Sequence, residues 1–270
     1  MKPGNFLPTD LMMTSELLSN AARSLINRIR RREAENPLLF AKRLIDPDLW
    51  QENVLLSDAK QLILNCSRQT GKSTITAFLA SHTAIFTPES LVLLVCPSER
   101  QSGELLRKIK SILAQTPGID FSRDAVLQVE LGNGSRILAL PSAEANLRGF
   151  SAPAMVVIDE ASRCDDGLFY SLKPMMAVGN GRLVLLSSPF GRRGFFYQTW
   201  INGENWERFT VKATDCPRIT PEFLESEKNS MPEFVFRQEY LCEFTDSDTQ
   251  IFPSELIENS INPGLKAVAW

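Results

Sequence analysis

An α/β fold, with a mostly parallel central sheet flanked by helices, is predicted by three features of this 270-residue sequence. From Gln61 onward, short apolar runs alternate with helix-length stretches. The runs are continuous rather than alternating, as in strands covered on both faces. Several of them end directly in polar, chemistry-bearing residues, which is where open α/β sheets bind ligands.

The elements follow in order. Residues 1–44 read as a helical N-terminal extension, 45–247 as the main domain and 248–270 as a linker. Arg23 to Arg43 holds seven basic and two acidic residues. That stretch reads as a solvated helix face, or more sharply as a patch for phosphate backbone or a partner. Leu62–Leu64 is a buried strand leading into a glycine-lysine turn, and a helix should run from about Lys72 to Ala84. Leu91–Cys96 is a second buried strand. Ser98 can cap the next helix, whose Leu105, Leu106, Ile109, Ile112 and Leu113 share one face. Val126–Leu140 reads as a hairpin turning at Gly132-Asn133-Gly134. Met155–Ile158 and Leu183–Leu186 are two more buried strands.

Composition bounds the function. Apolar residues at 43% and charged residues at 23% are ordinary for a globular protein with a sizeable core. A net charge of −3 excludes a polycation that coats nucleic acid, so any DNA contact must be a local patch. The five cysteines have no C-x-x-C spacing and His82 is the single histidine, so neither a zinc site nor a disulfide framework is expected. Met1 to Asp10 does not read as a secretory signal, and no apolar run approaches the ~20 residues of a membrane span.

Three motifs carry chemistry. Asn65 to Thr74, NCSRQTGKST, ends like a phosphate-binding loop, but Cys66 stands where the pattern G-x-x-x-x-G-K-[ST] has its first glycine. A strand before the loop and a helix after it aim backbone N–H groups at an anion. In that reading Lys72 reaches the β- and γ-phosphates, Ser73 binds Mg²⁺, and Ser67, Arg68, Gln69, Thr70 and Gly71 wrap the nucleotide, with Thr74 packing or capping behind them. In the second motif, MVVIDEAS, two carboxylates end a buried strand. Asp159 suits the Mg²⁺ shell and Glu160 the activation of water. The third is a strand ending in Ser187-Ser188-Pro189, whose hydroxyls could sense the γ-phosphate and relay its loss.

Loop, carboxylate strand and Ser-Ser-Pro strand together resemble the ATPase domain of the large terminase subunit of tailed bacteriophages, the motor that packages DNA. The family's loop, which lacks the first glycine, is similar to Ser67-Arg68-Gln69-Thr70-Gly71-Lys72-Ser73. Its upstream W-Q pair resembles Trp50-Gln51, its R-G pair resembles Arg148-Gly149, and its ATPase-domain ending is similar to Phe236–Phe244. The resemblance spans about residues 45–255. It implies a P-loop NTPase of the additional-strand, RecA-like type, with adenine read by Gln51 and with ATP and Mg²⁺ as ligands. It also implies double-stranded DNA, a homo-oligomeric ring on a capsid portal and a small terminase subunit as partners, in the bacterial host cytoplasm. No membrane is implied.

Two arginines compete for the finger that offsets charge on the γ-phosphate. Arg148, in the loop before the carboxylate strand, is favoured as a finger acting on a neighbouring subunit, with Arg68 coupling nucleotide state to motion. The alternative is that one of them pairs with a carboxylate. Arg192 and Arg193 are weak candidates for DNA contact. The family's second domain, a nuclease, is not expected here: only 23 residues follow Ser247, Asp246 and Asp248 read as solvated charges, and Leu265–Trp270 resembles the opening of a strand cut short. The chain is therefore expected to be a fragment that hydrolyses ATP without cutting DNA. Two other readings stay open: a helicase-like translocase, and a nucleotide-dependent assembly module without turnover.

Overall fold

The structure is a computed structural model that describes residues 8–142 and 149–245. Arg148, Asp246, Asp248 and Leu265–Trp270 lie outside the described residues. The chain forms two compact units, Met1–Ser57 and Asp58–Trp270.

The first unit is helical: α1 (Pro8–Glu35), α2 (Pro37–Ala41) and α3 (Leu49–Leu56). Asn36 caps α2, its side-chain oxygen accepting the Leu38 and Leu39 N–H groups, and Pro37 occupies the first helical turn, where no N–H is needed. Residues 22–32 of α1 are exposed, so Arg23, Arg28, Arg30, Arg31 and Arg32 form a solvated face. Beyond them both carboxylate oxygens of the buried Glu33 accept from one Arg43 nitrogen, at 3.0 and 3.1 Å. The unit runs on past residue 44, where the sequence reading ends the extension, because α3 packs against α2.

The second unit holds β1 (Gln61–Cys66), α4 (Lys72–Phe86), β2 (Leu91–Cys96), α5 (Glu99–Ala114), β3 (Phe121–Ala125), β4 (Gln128–Leu131), β5 (Arg136–Pro141), β6 (Met155–Asp159), α6 (Asp166–Gly179), β7 (Arg182–Ser187), α7 (Gly194–Asn202), β8 (Glu207–Val211), α8 (Pro221–Ser230) and α9 (Glu233–Leu241). Among the described residues its eight strands form one sheet in the order β3-β4-β5-β2-β6-β7-β1-β8. The pairs from β5 to β8 are parallel, and β3 with β4 and β4 with β5 are antiparallel. This is the expected mostly parallel sheet with flanking helices. One strand, β7, is inserted between β1 and β6, as the additional-strand arrangement requires.

Helices cover both faces because both faces are apolar. Ile63, Leu93, Val95, Val156, Ile158, Leu183 and Leu185 pack with Leu168, Phe169 and Leu172 of α6 and Phe195 and Phe196 of α7. The alternate residues Leu62, Leu64, Leu94, Val157, Val184 and Leu186 are equally buried and so face the other way, toward the side packed by α4 and α5. Ser98 caps α5 through the Gln101 N–H, and the five apolar positions expected on its inner face are all buried. The turn into β7 depends on Gly181, where a Cβ would lie 2.0 Å from the Pro153 carbonyl oxygen. β3 and β8 are not evident in the sequence. Both lie at sheet edges and are mostly exposed, so neither carries an apolar run.

Cys66 is the last residue of β1, paired in register with Val211 and fully buried. It points into the sheet rather than lining the loop, and burial pushes its thiol pKa well up. Burial likewise pushes the thiols of Cys164 and Cys242 up to about 12. All five thiols are buried. In the native protein a small thiol reagent is predicted to react slowly with every one of them, and with all five after unfolding. Rapid labelling of Cys66 in the native protein, found by peptide mapping, would contradict its placement in the sheet.

Candidate nucleotide site

The site is assembled at the carboxyl ends of β1, β6 and β7, which are neighbours in the sheet. From β1 the chain turns through Ser67 to Gly71 and enters α4 at Lys72. The left-handed positions that shape this turn are Gln69 (φ 58°) and Gly71 (φ 94°). The strand's end at Cys66 needs no positive φ, which explains why the pattern's first glycine can be replaced there. The turn is braced from within and without. Ser67 N–H donates to the Val211 carbonyl, Thr70 Oγ1 donates to the Ser67 carbonyl, and Arg218 donates to the Thr70 carbonyl at 3.0 Å. Ser67 and Thr70 are buried, while Arg68 and Gln69 are exposed and Thr74 is half-buried.

Two polar contacts join the start of α4 to the end of β6. Ser73 Oγ donates to Asp159 Oδ2 at 2.9 Å, and Lys72 Nζ lies 3.3 Å from Glu160 Oε1. Lys72 and Asp159 are both buried. Burial, then the charge of Glu160, pushes the Asp159 carboxyl above its usual range, opposed by Lys72, Ser73 and the Glu160 N–H. Glu160 itself sits at φ 52°, a left-handed conformation uncommon for a non-glycine residue, with its N–H donating to Asp159 Oδ1.

The serines of β7 diverge. Ser187 Oγ lies 2.7 Å from Ser162 Oγ and donates to Glu160 Oε2 at 3.3 Å. Ser188 points away from the carboxylate pair and donates to Glu239 Oε2 at 2.9 Å. Pro189 is buried behind them. Only Ser187 of this pair therefore touches Glu160.

Arg68 is also held by Glu239, through Nε at 2.8 Å and Nη2 at 3.2 Å. Of the outcomes open for Arg68, the structure adopts the ion pair with a carboxylate. That hydrogen bond raises the Arg68 pKa. Arg192 donates to the Phe244 carbonyl at 3.2 Å, and Arg193 lies over the Phe190 ring at 5.0 Å; both are exposed. Gln51 belongs to the first unit, where its side-chain oxygen accepts the Asp48 N–H at the start of α3. Ser162, Arg163, Arg218 and Glu239 are members of the network that sequence reasoning missed. Of these, Ser162 closes the quoted MVVIDEAS motif and Glu239 lies in Phe236–Phe244, but neither stretch assigned them a role.

A cavity of about 220 Å³ opens beside this cluster, lined by Ser73, Asp159 and Glu160 on one side and by Arg100, Gln101 and Lys108 of α5 on the other. A larger recess of about 700 Å³ lies at the opposite ends of β1 and β7, against Lys60, Gln61, Gly181 and Leu183. It holds none of the clustered carboxylates, so the smaller cavity is the better candidate for chemistry. Ser73 and Asp159 offer two oxygen donors on adjacent segments, a set that suits a hard cation such as Mg²⁺. Among the described residues no helix is long and apolar enough to cross a membrane.

Residues 63–259 match the family model described as terminase large subunit, T4likevirus-type, N-terminal. The large terminase subunit of Escherichia phage T5 is 26% identical over 216 residues, covering 76% of this chain and 49% of that protein. The chain thus spans about half the length of this curated relative. Among solved structures, the ATPase domain of the Thermus phage P74-26 large terminase superposes with a TM-score of 0.65 at 19% identity, covering 74% of this chain and 94% of that one. The large terminase of bacteriophage HK97 gives 0.64 at 15%, covering 78% and 55%. The large terminase of a thermophilic bacteriophage, in complex with ADP, gives 0.61 at 12%, covering 73% and 51%. At these identities the likeness establishes the fold.

The raised pKa of Asp159 makes a testable demand on stability. A carboxylate whose folded pKa lies above its unfolded value costs stability in full above the raised pKa, and the cost disappears below the ordinary aspartate value of about 3.9. Asp159→Asn, without Mg²⁺, is therefore predicted to melt above the wild type at neutral pH, with the difference closing as the pH falls toward that value. A lower melting temperature at neutral pH would show that the paired carboxylate is a net stabiliser.

Proposed function

Because the chain belongs to the terminase large-subunit family, over that family's N-terminal domain, we propose that it is the ATPase motor domain of a viral DNA-packaging terminase. In this reading it couples hydrolysis of Mg-ATP to movement of double-stranded DNA into a procapsid. The observation that carries the proposal is the convergence of Lys72, Ser73, Asp159, Glu160 and Ser187 at one edge of the sheet. The same edge presents the N-terminus of α4, a favourable place for phosphate.

The residues divide the work by chemistry. Lys72 now pairs with Glu160, and exchanging that partner for the β- and γ-phosphates frees the carboxylate as the substrate enters. Ser73 and Asp159 would hold Mg²⁺, which when bound offsets charge on the phosphate oxygens. Glu160 orients a water and takes its proton, with Ser187 on its second oxygen limiting how the carboxylate turns. The positive φ at Glu160 aims this side chain off the strand's end, where the cavity admits water.

The outer roles are part of the same proposal. Arg148 supplies the finger to a neighbouring subunit's site and Gln51 reads adenine. Arg68, Ser187, Ser188 and Pro189 relay the state of the γ-phosphate, and Arg192 and Arg193 are candidates for DNA contact. The working assembly is a ring on the capsid portal, joined by the small terminase subunit, in the cytoplasm of the bacterial host. The ADP bound in the thermophilic phage's terminase, a relative by fold, is in keeping with a nucleotide site.

Glu160→Gln is predicted to keep ATP binding and to lose at least about a hundredfold in turnover, the scale of a lost general base. Phosphate release measured with and without double-stranded DNA reads this directly. Turnover equal to wild type would remove Glu160 from the mechanism. A wild type that binds ATP but releases no phosphate under either condition would favour an assembly module.

A further inference from the structure

A single buried carboxylate joins three segments of the proposed site. Glu239 on α9 is 7% exposed. Its Oε2 accepts from Arg68 Nε at 2.8 Å and Ser188 Oγ at 2.9 Å, and its Oε1 accepts from Arg68 Nη2 and Arg163 Nη2, both at 3.2 Å. The backbone takes part as well, since the Arg68 N–H donates to the Glu239 carbonyl at 3.3 Å. Four donors fill the lone-pair sites of an ionised carboxylate. Burial pushes its pKa up, but the Arg68 hydrogen bond and charge, the Ser188 hydroxyl and the Arg163 charge together hold it below the usual glutamate range.

The partners are not scattered. Arg68 lies in the loop that leads to Lys72, Arg163 in the turn just after Glu160, and Ser188 directly after Ser187. From Ser188 a run of close polar contacts leads toward Glu160. Ser162 Oγ donates to the Ser188 carbonyl at 2.8 Å and sits 2.7 Å from Ser187 Oγ, which donates to Glu160 Oε2. Gln238 of α9 and Cys242 just past its end add to the bracing: Gln238 Oε1 accepts the Gly191 N–H at 3.1 Å, and the Cys242 carbonyl accepts from Asn65 at 2.8 Å. A carboxylate that merely anchored α9 to the sheet would need one of these cations. Glu239 instead takes one group from each segment that carries a site residue.

We propose that Glu239 is a positioning residue for ATP hydrolysis, fixing the phosphate loop, the Glu160 turn and the end of β7 relative to one another. This rests on the ATPase reading above. Glu239 touches neither Lys72 nor Ser73, so its loss is expected to tell more on the orientation of Glu160 than on the hold on substrate.

Steady-state ATPase assays of the chain with Glu239→Gln are predicted to show kcat down by about tenfold or more with KM for ATP little changed, since a small misplacement is costly when geometry is tight. Glu239→Asp keeps the charge and recovers part of kcat. Ser188→Ala added to Glu239→Gln costs less than the product of the two single effects, because both act through one chain of contacts. Independently of turnover, hydrogen exchange at residues 67–73 and 187–191 rises in Glu239→Gln. Unchanged kcat overturns the proposal even if the melting temperature falls, and so does a loss confined to KM or unchanged exchange at both segments. A wild type that does not hydrolyse ATP contradicts the function proposed above, and the exchange measurement then decides alone whether Glu239 holds these segments.

Discussion

The order β6-β7-β1 is the constraint on which the rest of the structure depends. Parallel pairing puts the carboxyl ends of the three strands at one edge, in register from Gln61 with Leu183 and from Met155 with Arg182. Everything with chemical capacity then follows from where each strand stops. The loop leading to Lys72 leaves β1, Asp159 ends β6 with Glu160 directly after it, and Ser187 ends β7. Residues far apart along the chain reach hydrogen-bond distance only because both faces of these strands are apolar and must be covered by helices. The packing that makes the sheet also makes the site.

That edge concentrates unfavourable features that the surrounding fold offsets. Asp159 is a buried carboxylate with a raised pKa beside a second carboxylate, and Glu160 has a strained backbone. The proposed function needs both, because a cation ligand must be ionised and a base must be aimed at its water. The opposing contributions are local and polar: Lys72 on Glu160, the Ser73 hydroxyl on Asp159, and Glu239 with its two arginines. The apolar layers under α4, α5, α6 and α7 hold the strand ends while these charges remain poised. The network around Glu239 adds a second level of organisation. The last helix of the described chain becomes part of the site's geometry through side chains that never reach the cavity.

Much of this was legible in the sequence, for identifiable reasons. The buried strands β1, β2, β6 and β7 announce themselves as continuous apolar runs, and Lys72, Ser73, Asp159, Glu160 and Ser187 follow them or their loops directly. The edge strands β3 and β8 do not, because half-exposed edges tolerate Arg123, Asp124 and Glu207. Cys66 looks like a defect in a loop pattern but is the end of a strand, a distinction that depends on which residues adopt positive φ. Arg68 and Ser188 were legible as polar residues of the proposed nucleotide site, yet their partner was not. Glu239 lies 171 positions from Arg68 along the chain, and no spacing rule connects an acid on one helix to a loop that distant.

The account stands on a single claim, that the lysine-bearing loop and the buried aspartate form one Mg-nucleotide site. Calorimetric titration of a non-hydrolysable ATP analogue with Mg²⁺ into the wild type and into Lys72→Ala, both checked for the same fold by circular dichroism, tests it most directly. One site per chain in the wild type, lost in Lys72→Ala and weakened when Mg²⁺ is chelated, is the predicted result. Equal binding by both proteins, or binding indifferent to Mg²⁺, would place the nucleotide elsewhere and contradict the account.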